Sequence, residues 1–279
     1  MLADLHIHTT FSDGVNTPED VVREAVNAGL AAIAITDHDN IRGYERAERY
    51  VKTNQLPLKV LRGVEIDTDY KGKDVHVLGY YFAPDDPDLM QALAWNRSQR
   101  VDRVQRIVSK IHSFGYPISF PEVVKEAAGS RSLGRPHIAR LLVKKGCFKT
   151  VSEVFDTLIG AGKPCYLRQV KMSPKEAVAL LHNAGGIAVL AHPAELENYD
   201  LVQEILNGTA FDGMEVWHPS TLNEHPHHDW KAVAEAHHLI PSGGSDLHGN
   251  PGRFPMHLGE FRILYEDVKG IIDYKKHSN

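Results

Sequence analysis

Cysteine is nearly absent. Cys147 and Cys165 are the only two in 279 residues, and their spacing fits neither a zinc ribbon nor a redox pair. That argues against a disulfide scaffold or a thiolate metal site and fits a reduced, cytoplasmic setting. Basic charge is not in excess either: the formal net charge is −5, which leaves no global field to recruit nucleic acid or a membrane, though a local basic patch stays open. No apolar run approaches the length of a transmembrane helix. The chain enters a strand at once, with no basic n-region, so no secretory leader is expected. Internal repeats and low-complexity tracts are lacking, which argues against a solenoid.

Histidine is what the chain has in surplus, with 17 copies. Imidazole has no special packing use, so the surplus directs attention to metal or proton chemistry. Met1-Leu2-Ala3-Asp4-Leu5-His6-Ile7-His8 is a short apolar strand with two histidines two apart. At that spacing both side chains face the same side of a strand, so His6 and His8 can grip one ion together. Thr17-Pro18-Glu19-Asp20 reads as a helix start, and apolar residues at helical spacing follow as far as Gly29. Residues 31–36 form an unbroken apolar run, as in a strand buried on both faces, and lead into Asp37-His38-Asp39. After a helix over 41–53, a strand over 59–64 ends at Glu65, and a strand-like stretch over 75–80 carries His76.

From 88 to about 162 only helical patterns occur, broken by glycine and proline. Strand–helix alternation then resumes. Strands over 186–191, 213–217 and 239–245 lead to His192, to His218 (with Glu215 inside the strand), and to Asp246-Leu247-His248. Every predicted strand except the one bearing His76 thus delivers its polar residues at its C-terminal end, the catalytic rim of a (β/α) barrel. The candidates are His6, His8, Asp13, His38, Glu65, His76, His192, Glu215, His218, Asp246 and His248. Taken singly, each could be a cap, a hydrogen-bonded core residue or plain surface. Taken together, buried carboxylates and imidazoles without a cation would suffer large desolvation and repulsion penalties. Nitrogen and oxygen donors without thiolate suit Mn, Fe, Zn or Co.

The ordered set Asp4-Leu5-His6-Ile7-His8, Ser12-Asp13-Gly14, Thr36-Asp37-His38-Asp39, Gly63-Val64-Glu65, Ala191-His192-Pro193 and Gly244-Ser245-Asp246-Leu247-His248-Gly249 resembles the PHP (polymerase and histidinol phosphatase) family. The resemblance implies an α/β fold, a distorted (β/α)7 TIM-like barrel formed by 1–87 and 166–279, with a helical insertion at 88–165 acting as a substrate-binding cap. It implies two or three divalent ions, Mn2+ foremost, with Fe2+ or Zn2+ as alternatives. One ion would be held by His6, His8, Glu65 and Asp246, a second by Glu65, His76 and His192, and a third by Asp13, His38 and His248. The insertion segment Gly134-Arg135-Pro136-His137-Ile138-Ala139-Arg140 is similar to that of stand-alone PHP nucleotide phosphatases. Arg135, His137 and Arg140 are then candidates to hold substrate phosphate, since guanidinium forks match phosphate oxygens and a helix N-terminus attracts anions.

The expected function is metal-dependent hydrolysis of nucleotide phosphate monoesters: nucleoside 3′,5′-bisphosphates or mononucleotides, and RNA 5′ ends. The expected route is in-line attack of a metal-bridging hydroxide at a centre built on Glu65 and Asp246. His218 is expected to touch phosphate or give a proton to the leaving oxygen, with support of a ligand from behind as the other reading. Asp37 and Asp39 are expected to orient His38 or a nearby water. The partner is a small phosphorylated nucleotide or short RNA, with no membrane and no obligate protein partner. Rivals stand beside this reading, among them a polymerase-associated PHP exonuclease, for which no polymerase domain is read, and a binding protein using the fold without catalysis, which the complete ligand set disfavours. Two enzyme rivals are weightier. A histidinol phosphate phosphatase is one. The other is an amidohydrolase-type C–N hydrolase, which would usually carry a bridging lysine where Glu65 stands.

Overall fold

A computed structural model describes residues 1–127, 133–224 and 227–274. Its contacts divide the chain into two units, Met1–Leu93 with Met172–Asn279, and Ala94–Lys171. The sequence reading put the divisions six residues earlier on each side, at 87/88 and 165/166. The shift has a packing cause: Leu89, Leu93 and Met172 are buried in the apolar core of the first unit.

The first unit is an eight-stranded, nearly closed TIM-like barrel. Its strands are β1 (Leu2–Ile7), β2 (Leu30–Ile35), β3 (Lys59–Tyr70), β4 (Lys73–Tyr80), β5 (Ile187–Leu190), β6 (Gly213–Trp217), β7 (Ile240–Gly243) and β8 (Ile263–Leu264). They lie in the order β7-β6-β5-β4-β3-β2-β1-β8. The runs Leu-Ala-Ala-Ile-Ala-Ile in β2 and Ile-Ala-Val-Leu in β5 are buried almost throughout, the composition a strand covered on both faces requires. Helices start where caps allow. Thr17 and Asp20 form a capping box ahead of Pro18–Asn27, and Ser173 and Glu176 do the same ahead of Pro174–Asn183. The barrel closes at the ends of β7 and β1, where His8 N–H donates to Leu247 O at 2.9 Å and Ser245 N–H donates to Asp4 Oδ1 at 3.0 Å. Gly244 permits this approach, because a Cβ there would stand 2.1 Å from His6 Cβ.

One strand departs from the expected pattern. β3 does not end at Glu65 but runs on to Tyr70, turns at Lys71-Gly72, and returns as β4. Both turn residues have positive φ, 50° and 94°, as a tight two-residue hairpin demands. β4 is antiparallel to both β3 and β5, whereas the β1–β2–β3 and β5–β6–β7 pairings are parallel. The start of β4 therefore lies at the rim where the parallel strands end. This is why His76 broke the strand-end rule, and it stands directly opposite Asp67.

The second unit is helical, and among its described residues no strand occurs. It holds the rest of the long helix Pro87–Ser113, then Phe120–Glu126, Arg135–Lys144 and Val151–Val154, the last running into one π turn. Its core includes Val104, Ile107, Ile111, Val123, Ile138, Leu142 and Leu158. The helix read to Ala128 reaches, at that residue, outside the described part of the chain.

Candidate metal centre

At the barrel rim, strands distant in sequence bring imidazoles and carboxylates to one place. His6 Nε2 and His8 Nε2 are 3.2 Å apart. Glu65 Oε2 lies 3.4 and 3.1 Å from these two nitrogens, and Asp246 Oδ1 lies 3.5 and 3.0 Å from them. Ligands bound at about 2.1 Å to one ion in tetrahedral or octahedral geometry are about 3.0 to 3.4 Å apart, so this spacing fits one divalent cation. A second group shares Glu65. Its Oε1 is 2.8 Å from His76 Nδ1 and 3.2 Å from His192 Nε2, and those nitrogens are 3.2 Å apart. A third is looser: Asp13 stands 3.2 Å from His248 Nε2 and 3.8 Å from His38 Nε2, with His8 also at its edge.

The donor set fits cations on a second ground. Glu65 Oε2 and His38 Nδ1 are buried and make no hydrogen bond of good geometry among the described residues. A charged oxygen left this way would be costly, whereas an ion in contact with it removes the penalty. Charge tells the same story. Burial alone would raise the Glu65 carboxyl, yet the imidazoles of His38, His76 and His6 hold it well below the usual range. Burial likewise opposes protonation of His8, but the Asp246 and Glu65 carboxylates beside its Nε2 lift it to about 10. His192, buried and bonded to Glu65, rises to about 9. Without a cation, the cluster fills with protons.

The sign of the pH effect follows. Imidazoles raised above their unfolded value of about 6.5 stabilise the metal-free fold fully below that pH. Their contribution is lost as pH climbs through 9 and 10. Ions need the bare nitrogens, so uptake near pH 7.5 should release the protons held by His6, His8 and His192 and tighten as pH rises. Calorimetry in buffers of different ionisation enthalpy measures the release, and zero protons would contradict this picture.

His6, His8, His192 and His248 also have their other nitrogen engaged, which sets the free one toward the cluster. His6 Nδ1 lies 3.2 Å from Glu215 Oε1, and Glu215 Oε2 accepts the His192 backbone N–H at 2.8 Å. His8 Nδ1 is 3.3 Å from Ser12 Oγ, which itself donates to Asp37 Oδ1 at 2.6 Å. His192 Nδ1 meets Glu195 Oε2 at 3.3 Å, and His248 Nδ1 meets the Asp246 carbonyl at 2.8 Å. Asp67 stands between two groups, 2.9 Å from His38 Nδ1 and 3.5 Å from His76 Nε2. Glu215→Gln should therefore lower metal affinity about 10- to 100-fold with little change in fold. Metal titration by calorimetry beside circular dichroism checks it; unchanged affinity would remove Glu215 from the account.

His218 differs from the rest. Ser220 N–H donates to its Nδ1 at 3.1 Å, so that nitrogen is the acceptor and Nε2 carries the proton. His218 is buried, and Nε2 makes no hydrogen bond of good geometry among the described residues, standing 3.8 Å from Asp246 Oδ2.

Sequence reasoning missed three contributors. Asp67 was hidden because β3 was read as too short. Glu195 lies in the turn after His192, and Arg253, in the loop after His248, pairs with Asp246 and reaches His248 Nδ1 at 3.1 Å. One expectation is corrected: Asp37 does not stand against His38 but accepts from Thr9 N–H, Thr9 Oγ1 and Ser12 Oγ, bracing the loop after β1. Asp39 Oδ1 lies 3.4 Å from the Asp67 backbone nitrogen. Of the remaining histidines, His225 lies outside the described residues.

Arg135, His137 and Arg140 belong to the helical unit. The Arg135 guanidinium lies over the rings of Phe155 and Tyr166, at 5.7 and 5.6 Å. His137 is buried, its Nδ1 accepting the Gly134 N–H at 3.2 Å, and Arg140 is exposed.

A barrel rim carrying nitrogen and oxygen donors, with no thiolate among them, defines a metal-dependent hydrolase of the TIM-like class. The PHP domain family matches residues 4–183, and the chain belongs to that family. The chain is 32% identical over 257 residues to the 5′-3′ exoribonuclease Rnm of Escherichia coli, covering 89% of this chain and 85% of that protein. It is 31% identical over 260 residues to the 3′,5′-nucleoside bisphosphate phosphatase of Chromobacterium violaceum, covering 90% and 89%. A crystal structure described as a metal-dependent phosphoesterase, from Bifidobacterium adolescentis, superposes with a TM-score of 0.83 at 32% identity, covering 97% and 95%. The protein is an enzyme, a hydrolase of phosphoester bonds. Among its described residues no helix is long and apolar enough to cross a membrane.

Proposed function

We propose that this enzyme removes terminal phosphate from nucleotides, with nucleoside 3′,5′-bisphosphates, mononucleotides and short RNA 5′ ends as its substrate classes. The observation that carries the reading is the spacing of the His6, His8, Glu65 and Asp246 donor atoms, joined through Glu65 to His76 and His192. In this reading His6, His8, Glu65 and Asp246 hold one ion, Glu65, His76 and His192 a second, and Asp13, His38 and His248 a third. An all-nitrogen-and-oxygen set suits Mn2+, with Fe2+ or Zn2+ as substitutes. Bound divalent ions supply Lewis acidity toward phosphate oxygens and lower the pKa of water.

The chain's own residues supply the rest. Glu215, Asp67 and Glu195 keep the ligand imidazoles in the orientation that leaves one nitrogen bare. His218, with its proton on Nε2, donates a hydrogen bond to the leaving oxygen. Arg253 beside Asp246 balances negative charge at the rim. Phosphate contacts by Arg135, His137 and Arg140 remain part of the proposal, Arg140 being the exposed one. Two free cysteines fit the cytoplasmic setting included in the reading.

The test is an assay of metal-loaded protein against nucleoside mono- and bisphosphates, short RNA, cyclic nucleotides, histidinol phosphate, and amide and lactone substrates. Phosphate release from the nucleotides supports the proposal. A marked preference for histidinol phosphate would replace it with that neighbouring activity. Turnover of amides or lactones alone would overturn it.

A further inference from the structure

A second built feature lies in the barrel unit beside the ligand cluster. Directly after His192 the chain makes the short turn Pro193–Leu196 and enters the helix Tyr199–Gly208. Against this turn lies a cavity of about 890 Å³ whose lining includes Tyr199, His228 and Trp230 with Glu195, Glu197 and Ser220. Tyr199 and His228 stack almost parallel, with centroids 4.5 Å apart and planes 7° apart. Trp230 packs against both, 5.3 Å from His228 and 6.1 Å from Tyr199. Glu224 fixes these two partners, meeting His228 Nδ1 at 2.7 Å and accepting Trp230 Nε1–H at 2.8 Å. Tyr199 remains 38% exposed. The result is a braced aromatic surface at a cavity, not a ring packed into the core.

Glu195 links this cavity to the cluster. It lines both this space and a smaller cavity of about 300 Å³ beside His76 and His192, and it holds His192 Nδ1. We infer that the larger cavity is a nucleobase subsite, in which the base of a substrate stacks on Tyr199 while its phosphate lies at the ligand cluster. This rests on the nucleotide reading above. The chemistry favours a base over a second phosphate: Glu195 and Glu197 repel anions but accept hydrogen bonds from base N–H and ribose O–H groups. Stacking on an aromatic side chain is tolerant of base identity, because every base has a π-face.

The test compares wild type, Tyr199→Phe and Tyr199→Ala as metal-loaded full-length protein, with circular dichroism to verify folding. The readout is the ratio of kcat/KM for AMP to that for ribose 5-phosphate, which lacks a base. Tyr199→Ala should lower this ratio about ten-fold, mainly through the KM for AMP, while Tyr199→Phe stays within about two-fold of wild type. Adenosine affinity, measured by calorimetry, should fall in parallel. An unchanged ratio in folded Tyr199→Ala overturns the subsite and leaves the phosphatase reading standing. If no phosphate ester is hydrolysed, that reading fails and adenosine decides. Binding by wild type that weakens in Tyr199→Ala supports the subsite, and no binding, or equal binding, overturns it.

Discussion

Glu65→Ala is expected to lower phosphoester hydrolysis by more than about 10³-fold, the scale of losing preorganised charge stabilisation at a reacting group. The reason is geometric. Oε2 belongs to the group with His6, His8 and Asp246, and Oε1 to the group with His76 and His192. One truncation thus removes an oxygen from two groups, and metal analysis should show both depleted. Asp13→Ala, by contrast, touches mainly the looser third group. Glu65 is buried among imidazoles whose charge it offsets, so its removal also alters the metal-free fold. Glu65→Gln separates the effects, since the amide keeps the volume but gives up the charge. Full metal content and full activity in Glu65→Gln would mean that no shared carboxylate holds the centre together.

The second large effect concerns His218. His218→Ala should reduce kcat about 10²- to 10³-fold while metal content stays near that of wild type, because its Nε2–H donates a hydrogen bond to the leaving oxygen as charge builds there. One readout separates this from a structural defect. The loss should shrink for p-nitrophenyl phosphate, whose delocalised leaving oxygen carries less charge to stabilise. An equal loss on both kinds of substrate would instead make His218 a support for Asp246, which stands 3.8 Å from its Nε2.

Much of the site could be read from spacing. His6 and His8 face one way because strand side chains alternate, and the strand ends at His38, His192 and Asp246 mark a single rim once a barrel is assumed. The helical unit was equally legible, because its helices begin at Phe120 and Arg135, one residue before Pro121 and Pro136, where caps are local signals.

What stayed hidden depends on the chain's return path. Lys71-Gly72 gave too weak a turn signal to announce that β3 continues past Glu65, so Asp67 and the antiparallel direction of β4 were missed together. β8 is only two residues long and pairs with β1 across nearly the whole sequence. Glu195 and Arg253 sit in turns, where no periodicity reports direction. Their contacts with His192, Asp246 and His248 exist only after the barrel has closed.

The central claim is that the rim holds divalent ions through these side chains. Anomalous diffraction from Mn2+-loaded crystals tests it directly. The account predicts one peak within about 2.3 Å of His6 Nε2, His8 Nε2, a Glu65 oxygen and an Asp246 oxygen, and a second within reach of Glu65, His76 and His192. Peaks elsewhere, or none at this rim in crystals of active enzyme, would contradict it.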